Sequence, residues 1–353
     1  ARPHLADENA KRTIYLVDMH EPLMFLHNLE TTIKEPFASN PAVLDAVEKN
    51  HKKLQIAMTK LYPGNLVLSL SSGIMYHRLV DRITALNDVP REPLVPRRLG
   101  KNMCVPFGKI LRGKVVPNTV TKTLHTDKVY EPDLNSFTIE PFPYYSPLKS
   151  QIETIKSFDR PVILVDDLVH TANRLQVLVP QLREDGIPIK KVVVGVLSGY
   201  GRDLMQCLKV PVESIYSMPN LRQWFVESTL YPFIGGDTVR REEMKVAGLQ
   251  PSINMILPYA TPRLSGCSRE ALVEFSACCI ENSRDLFQVL EAEYRKMYAK
   301  NLTLSRLSEA VILPLCPDKG SCMEYDENLA ASVYLENDLE MLQRMRKFMV
   351  TIQ

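Results

Sequence analysis

Two stretches of this chain are apolar at nearly every position: Val162 to Val165, and Val192 to Leu197. A strand with one wet face alternates apolar and polar residues, so uninterrupted runs of β-branched residues predict strands covered on both faces. Between them Leu175, Leu178 and Leu182 recur at helical spacing, and Asp185-Gly186 closes that helix. The same alternation holds on either side. A helix is expected over 41–62, with Asn40 as its cap, Pro41 in its first turn and Leu44, Val47, Leu54, Met58 and Leu61 on one face. A strand over 66–70 leads through Ser71-Ser72-Gly73 into a helix carrying Met75, Leu79, Ile83 and Leu86. A helix over 147–158 precedes the first apolar run. Ser198-Gly199-Tyr200-Gly201 and a helix follow the second, and a strand over 212–216 comes next. A further short strand is expected over 13–17. Strands alternating with helices imply an α/β fold built on a mostly parallel, doubly wound sheet.

Two regions break the rhythm. Residues 88–147 are rich in proline and β-branched residues, and read as strands near 102–106, 114–122 and 136–140 in a β-rich hairpin and hood region. From about residue 266 the chain turns helical, with long amphipathic helices over 268–300 and 326–350. Three parts are therefore expected: an N-terminal strand and helices over 1–65, an α/β core over 66–265, and a C-terminal helical appendage over 266–353. The appendage either packs on the sheet or makes a homodimer.

The 353 residues, 24% charged and 45% hydrophobic, exclude a disordered chain, and the net charge of +2 points away from nucleic acid as a partner. No apolar run reaches the roughly 18 residues of a membrane span. Seven scattered cysteines read as free thiols in a reducing cytoplasm, and the Cys316 and Cys322 pair as two ordinary thiols beside a turn. The first residues are polar where a signal peptide would be apolar. A start at Ala1 leads us to expect a piece of a longer polypeptide, with room for a fused upstream domain.

The chemistry concentrates where the first apolar strand ends. Asp166 and Asp167 are delivered together to its carboxyl end, followed by Leu168, Val169, His170, Thr171, Ala172, Asn173 and Arg174. In an open α/β sheet ligands bind at that edge. The next helix offers free backbone N–H groups and a positive dipole end to a phosphate, and paired acids suit Mg²⁺ or ribose hydroxyls. Two solvated acids at a strand end are the plainer alternative.

Over Val162 to Thr171 the chain resembles the type I phosphoribosyltransferases, whose signature is an apolar strand, two acids, two apolar residues, a variable position, and then Thr-Gly-x-Thr. It departs at Ala172, where that family carries Gly, and at Arg174, where it carries the second Thr. The resemblance implies a cleft for phosphoribosyl pyrophosphate (PRPP) or a nucleotide phosphate. Asp166 and Asp167 would hold ribose and Mg²⁺. Thr171, Ala172, Asn173 and Arg174 would cradle the 5′-phosphate, and His170 would stand near the base as a proton carrier. Ser71, Ser72 and Gly73 occupy the place of the family's pyrophosphate loop, though a plain strand–helix turn explains them equally. The stretch 97–122 holds Arg97, Arg98, Lys101, Lys109, Arg112, Lys114 and Lys122 with no acid. It falls where the family has a flexible hairpin, with Lys109 and Arg112 as pyrophosphate ligands. A solvated basic loop is the alternative. Ser198 to Arg202, Trp224-Phe225 and Tyr231 to Asp237 fall where the family has its third loop and its hood over the base.

Two readings remain open. In one, a degenerate, non-catalytic phosphoribosyltransferase-like module binds PRPP or a nucleotide within a larger protein of nucleotide metabolism. In the other, the chain is an active Mg²⁺-dependent transferase acting on a nitrogenous base. Only 14 glycines, with Ala172 and Arg174, weigh toward the first. A different Mg²⁺ phosphotransfer enzyme is more distant, since no Gly-x-x-x-x-Gly-Lys-Ser/Thr loop occurs.

Overall fold

The computed structural model describes residues 18–96, 98–241, 246–262, 264, 266–319 and 325–351. The strand expected over 13–17, together with Arg97 and Cys322, lies outside the described residues. The fold is α/β with mostly parallel sheets and a long C-terminal helix.

Three sheets are present among the described residues. The central one runs β4 (Val120–Thr121), β3 (Met103–Pro106), β7 (Val162–Val169), β8 (Ile189–Ser198), β9 (Val212–Met218), all parallel. The apolar runs behave as their composition requires. Val162 and Leu164 of β7, with Val192 and Val194 of β8, face a cluster completed by Ile152, Leu175, Leu178 and Leu182. Those partners come from α3 (Leu148–Lys156) and α4 (Asn173–Glu184). Ile163, Val165, Val193 and Val196 face the opposite cluster, with Met75, Leu79 and Ile83 of α2 (Ser72–Leu86). Gly195 makes that second contact possible. A Cβ there would stand 2.1 Å from Met75 Sδ and 2.6 Å from the Asp167 carbonyl oxygen.

A second, wholly parallel sheet sets β1 (Asp18–His27) between β2 (Asn65–Ser71) and β10 (Gln223–Val226). The third sheet is mixed, in the order β13 (Leu315–Pro317), β12 (Gln250–Ile253), β11 (Asp237–Val239), β5 (Thr126–Tyr130), β6 (Phe137–Pro141). Its β5–β6 and β11–β12 pairings are antiparallel.

α1 (Pro41–Leu61) starts as its sequence dictates: the Asn40 side chain accepts from the Ala42 and Val43 amides at 2.9 and 3.4 Å. Its buried stripe is Val43, Val47, Asn50, Leu54, Met58 and Leu61, and Leu44 points outward, against expectation. Other corrections are local. Of the strand expected over 114–122 only Val120–Thr121 forms, and β5 lies between the expected strands, where a loop is expected. The loop expected at Ser198 to Gly201 is the first turn of α5 (Gly199–Cys207), capped by Ser198 Oγ on the Gly201 amide. The last helix, α8 (Ala331–Thr351), begins five residues later than the 326 expected, after the turn at Asp326 to Leu329.

α7 (Arg269–Tyr298) and α8 bury Phe275, Phe287, Leu290, Leu335 and Leu339 in the same cluster as α1 and β1. At its centre two amides exchange bonds between helices: Asn50 Nδ2 donates to the Asn282 carbonyl at 2.7 Å, and Asn282 Nδ2 to the Asn50 carbonyl at 3.0 Å. Asn282 Nδ2 also reaches Tyr231 Oη at 2.9 Å. Both residues are fully buried, so truncation removes bonds that water does not replace. Asn282→Ala is expected to destabilise the chain by about 2–3 kcal/mol in urea unfolding; a change below about 0.5 kcal/mol would show that these bonds do not join the helices.

Candidate functional site

Walls from all three sheets enclose a cavity of about 840 Å³ at the carboxyl end of β7. Asp166, Asp167, His170, Thr171, Ala172, Asn173, Arg174 and Lys109 line it, so the strand–loop–helix stretch and one lysine of the basic segment meet there. The opposite walls carry Lys128 and Tyr130 of β5, Phe137 of β6, Asp237 of β11, and Gln223 and Trp224 of β10. Arg112 does not line the cavity: it is half-buried, with its guanidinium 5.2 Å from the Phe142 ring centre. Ser71, Ser72 and Gly73 do not line it either. They join β2 to α2, where Ser71 Oγ caps the Gly73 amide at 3.2 Å.

The two aspartates have different surroundings. Asp167 accepts the Lys109 amide on Oδ2 at 2.7 Å and the Ile110 amide on Oδ1 at 3.0 Å. Gly108 lets that loop come close, since a Cβ would stand 2.5 Å from Asp167 Oδ1 and 2.7 Å from Asp166 Oδ1. Asp166 accepts the Asp167 amide on Oδ1 at 2.8 Å, with Arg174 Nη1 3.9 Å from the same oxygen. Of the four carboxylate oxygens, Asp166 Oδ2 alone has no hydrogen-bond donor among the described residues. A Mg²⁺ that keeps waters and takes phosphate oxygens needs only one or two carboxylates, and Asp166 fits that demand better than the pair does.

Thr171 to Arg174 form the turn into α4. Ala172 is left-handed, at φ 50° and ψ 21°, the conformation a glycine takes most easily. Asn173 Nδ2 donates to Thr171 Oγ1 at 2.8 Å. Arg174 bends back over the loop after β3 and donates to the Phe107 carbonyl at 3.3 Å. His170 Nδ1 is 2.8 Å from Ser198 Oγ, and burial pushes the imidazole below its ordinary value, so it is mainly neutral at pH 7.

Charges of both signs crowd the cavity. Burial pushes the Lys109 ammonium down, against the pull of Asp237 and Asp127. Burial raises the Asp237 carboxyl, against Lys128 and Lys109. Lys128 lies over the Tyr130 and Phe137 rings at 4.4 and 4.1 Å and donates to Tyr130 Oη at 2.5 Å. Nothing in the sequence marks Lys128 or Tyr130 as lining such a site. The only signal was Asp237 ending the segment that follows β10. Trp224, partly exposed, presents an aromatic surface on the wall, whereas Tyr231 is core and donates to Glu227 Oε1 at 3.0 Å. Such a cavity can hold an anion against cations and a helix start, hydroxyls against carboxylates, and a flat group against an aromatic wall.

No protein-family model matches the chain, and none of the curated proteins matches it.

Two outcomes follow from this geometry. The left-handed turn costs an alanine about 1 kcal/mol. Ala172→Gly is therefore expected to leave stability unchanged or raise it by up to about 1 kcal/mol, where the same change inside a helix lowers it by about that much; a loss of that size in chemical denaturation would contradict the turn. Burial lifts the Asp166 carboxyl to about 7, opposed by Arg174 and reinforced by Asp167. With its folded value above the unfolded one, Asp166 contributes stability at low pH that is lost as pH rises from about 4 to about 7. Asp166→Asn should therefore gain on the wild type between about pH 5 and about pH 8 in urea unfolding; an equal gap at both pH values would contradict the shift.

Proposed function

We propose that the cavity binds a phosphorylated ribose, PRPP or a nucleotide phosphate, in a phosphoribosyltransferase-like doubly wound domain that recognises the ligand without transferring its phosphoribosyl group. The observation that carries this reading is the turn from β7 into α4. It opens a helix start, the Asp166 carboxyl, Lys109 and Arg174 onto one cavity of about 840 Å³, ample for a nucleotide-sized ligand.

In this reading the α4 amides and Arg174 take the 5′-phosphate, Lys109 the second phosphoryl group, Asp166 the ribose hydroxyls, and Trp224 stacks on a base where one is present. Mg²⁺ arriving with the ligand would be held through Asp166 and would offset phosphate charge. Three features favour recognition over turnover. The Asp167 oxygens are already committed to the Lys109 and Ile110 amides. Arg174 stands in place of a hydroxyl. The Ala172 methyl occupies a turn where backbone would otherwise approach phosphate most closely.

Calorimetry with Mg²⁺-PRPP, nucleoside monophosphates and inorganic phosphate tests the reading. Binding of the ribose phosphates is expected, weakened about 10- to 100-fold in Arg174→Ala or Lys109→Ala, as loss of a charge-assisted contact implies. No heat with any of these ligands would overturn it. Base-dependent release of pyrophosphate from PRPP across a mixed base pool would replace recognition by catalysis.

A further inference from the structure

Parallel pairing of β1 with β10 sets Leu26 opposite Val226, so His27, the last residue of β1, and Glu227, the first beyond β10, stand side by side although 200 residues apart in sequence. Glu227 begins α6 (Glu227–Leu230) and is fully buried. α1 lays His51 over the same point. Glu227 Oε2 is 3.3 Å from His27 Nδ1 and 2.6 Å from His51 Nε2, and the two imidazole rings are 4.1 Å apart. One ligand atom from each residue falls within a common 4.8 Å. His51 Nε2 is buried, yet makes no hydrogen bond, because the nearby carboxylate is out of line with the ring nitrogen. Among the described residues no lysine or arginine forms an ion pair with the buried Glu227 carboxylate. The other ring nitrogen of His27 contacts Ser69 Oγ, which also accepts from Gln55 Nε2 at 2.9 Å. Outer hydrogen bonds of that kind fix the ring and tautomer of a metal-bound imidazole.

We propose that His27 Nδ1, His51 Nε2 and Glu227 Oε2 bind one zinc ion, with water in the fourth position. Two imidazoles and a carboxylate form a zinc ligand set, whereas Mg²⁺ prefers oxygen alone. Bond lengths near 2.0–2.1 Å set adjacent ligand atoms of a tetrahedron about 3.3 Å apart. The His27–Glu227 pair already has that spacing, and His51 must withdraw by about 0.7 Å to reach it. The His27 and His51 side chains keep 11% and 16% of their surface exposed, which gives the ion a way in. Val226, Thr229 and Leu230 line the ribose-phosphate cavity, but Glu227 does not, so this centre stands behind that wall and does not depend on the function proposed above.

The test uses the whole chain, stripped with chelator, dialysed and titrated with Zn²⁺ against a chromophoric competitor. One equivalent should bind and raise the melting temperature. His51→Ala and Glu227→Gln should each weaken binding by about 100-fold or more and abolish the thermal shift, with circular dichroism showing that they fold. Should Glu227→Gln fail to fold, the less deeply buried pair His27→Ala/His51→Ala takes its place. The proposal is overturned if the wild type takes up no zinc, or if it binds with the same stoichiometry and affinity as the double variant. A cluster that merely shares a proton between its imidazoles and the carboxylate would give that result.

Discussion

The bonds from the Lys109 and Ile110 amides to Asp167 hold the rest of the cavity in place. They pin the loop after β3 against the end of β7 and so aim the Lys109 side chain inward. Gly108 has to pass the aspartates without a side chain. With that loop down, Arg174 can reach the Phe107 carbonyl and lie near Asp166. A carboxylate that accepts two backbone amides acts as part of the scaffold. The two acids are therefore unequal: Asp166 accepts one backbone amide rather than two and is raised toward neutrality by burial.

Much of the α/β character was legible because it is encoded locally. Uninterrupted apolar strands, the Asn40 cap and helical leucine spacing each act within a few residues, and β7, β8, α1 and α4 form where those signals lie. The Asp166 to Arg174 turn was legible for the same reason. The difference between Asp166 and Asp167 was not, because it depends on the β3–β7 register, which brings residues 107–110 alongside. Lys128 sits in a short strand of polar and charged residues, and Asp237, which feels its charge, comes from a distant strand that pairs with β5. Ser71 to Gly73 carry a strand–turn–helix pattern like the one after β7, yet β2 pairs with β1 rather than with the central sheet. Spacing along a chain does not say which sheet a strand joins. His27, His51 and Glu227 have no shared motif; the β1–β10 pairing and the packing of α1 gather them.

The C-terminal helices bear on the site through packing. Phe275 of α7 meets Phe225 of β10 edge-on at 5.9 Å, and Phe225 lies next to Trp224 on the cavity wall. The Asn50–Asn282 exchange fixes α7 to α1, and α1 supplies His51. One hydrophobic cluster thus supports both the aromatic wall and the imidazole pair.

The cavity takes one wall from each of three sheets, with Asp166 on the central sheet, Trp224 on the second and Lys128 and Asp237 on the third. An occupant touching all of them would act as a mortar between separately built blocks. Its binding free energy would then be shared with the docking of those blocks, and the cooperativity of unfolding would rise with ligand concentration.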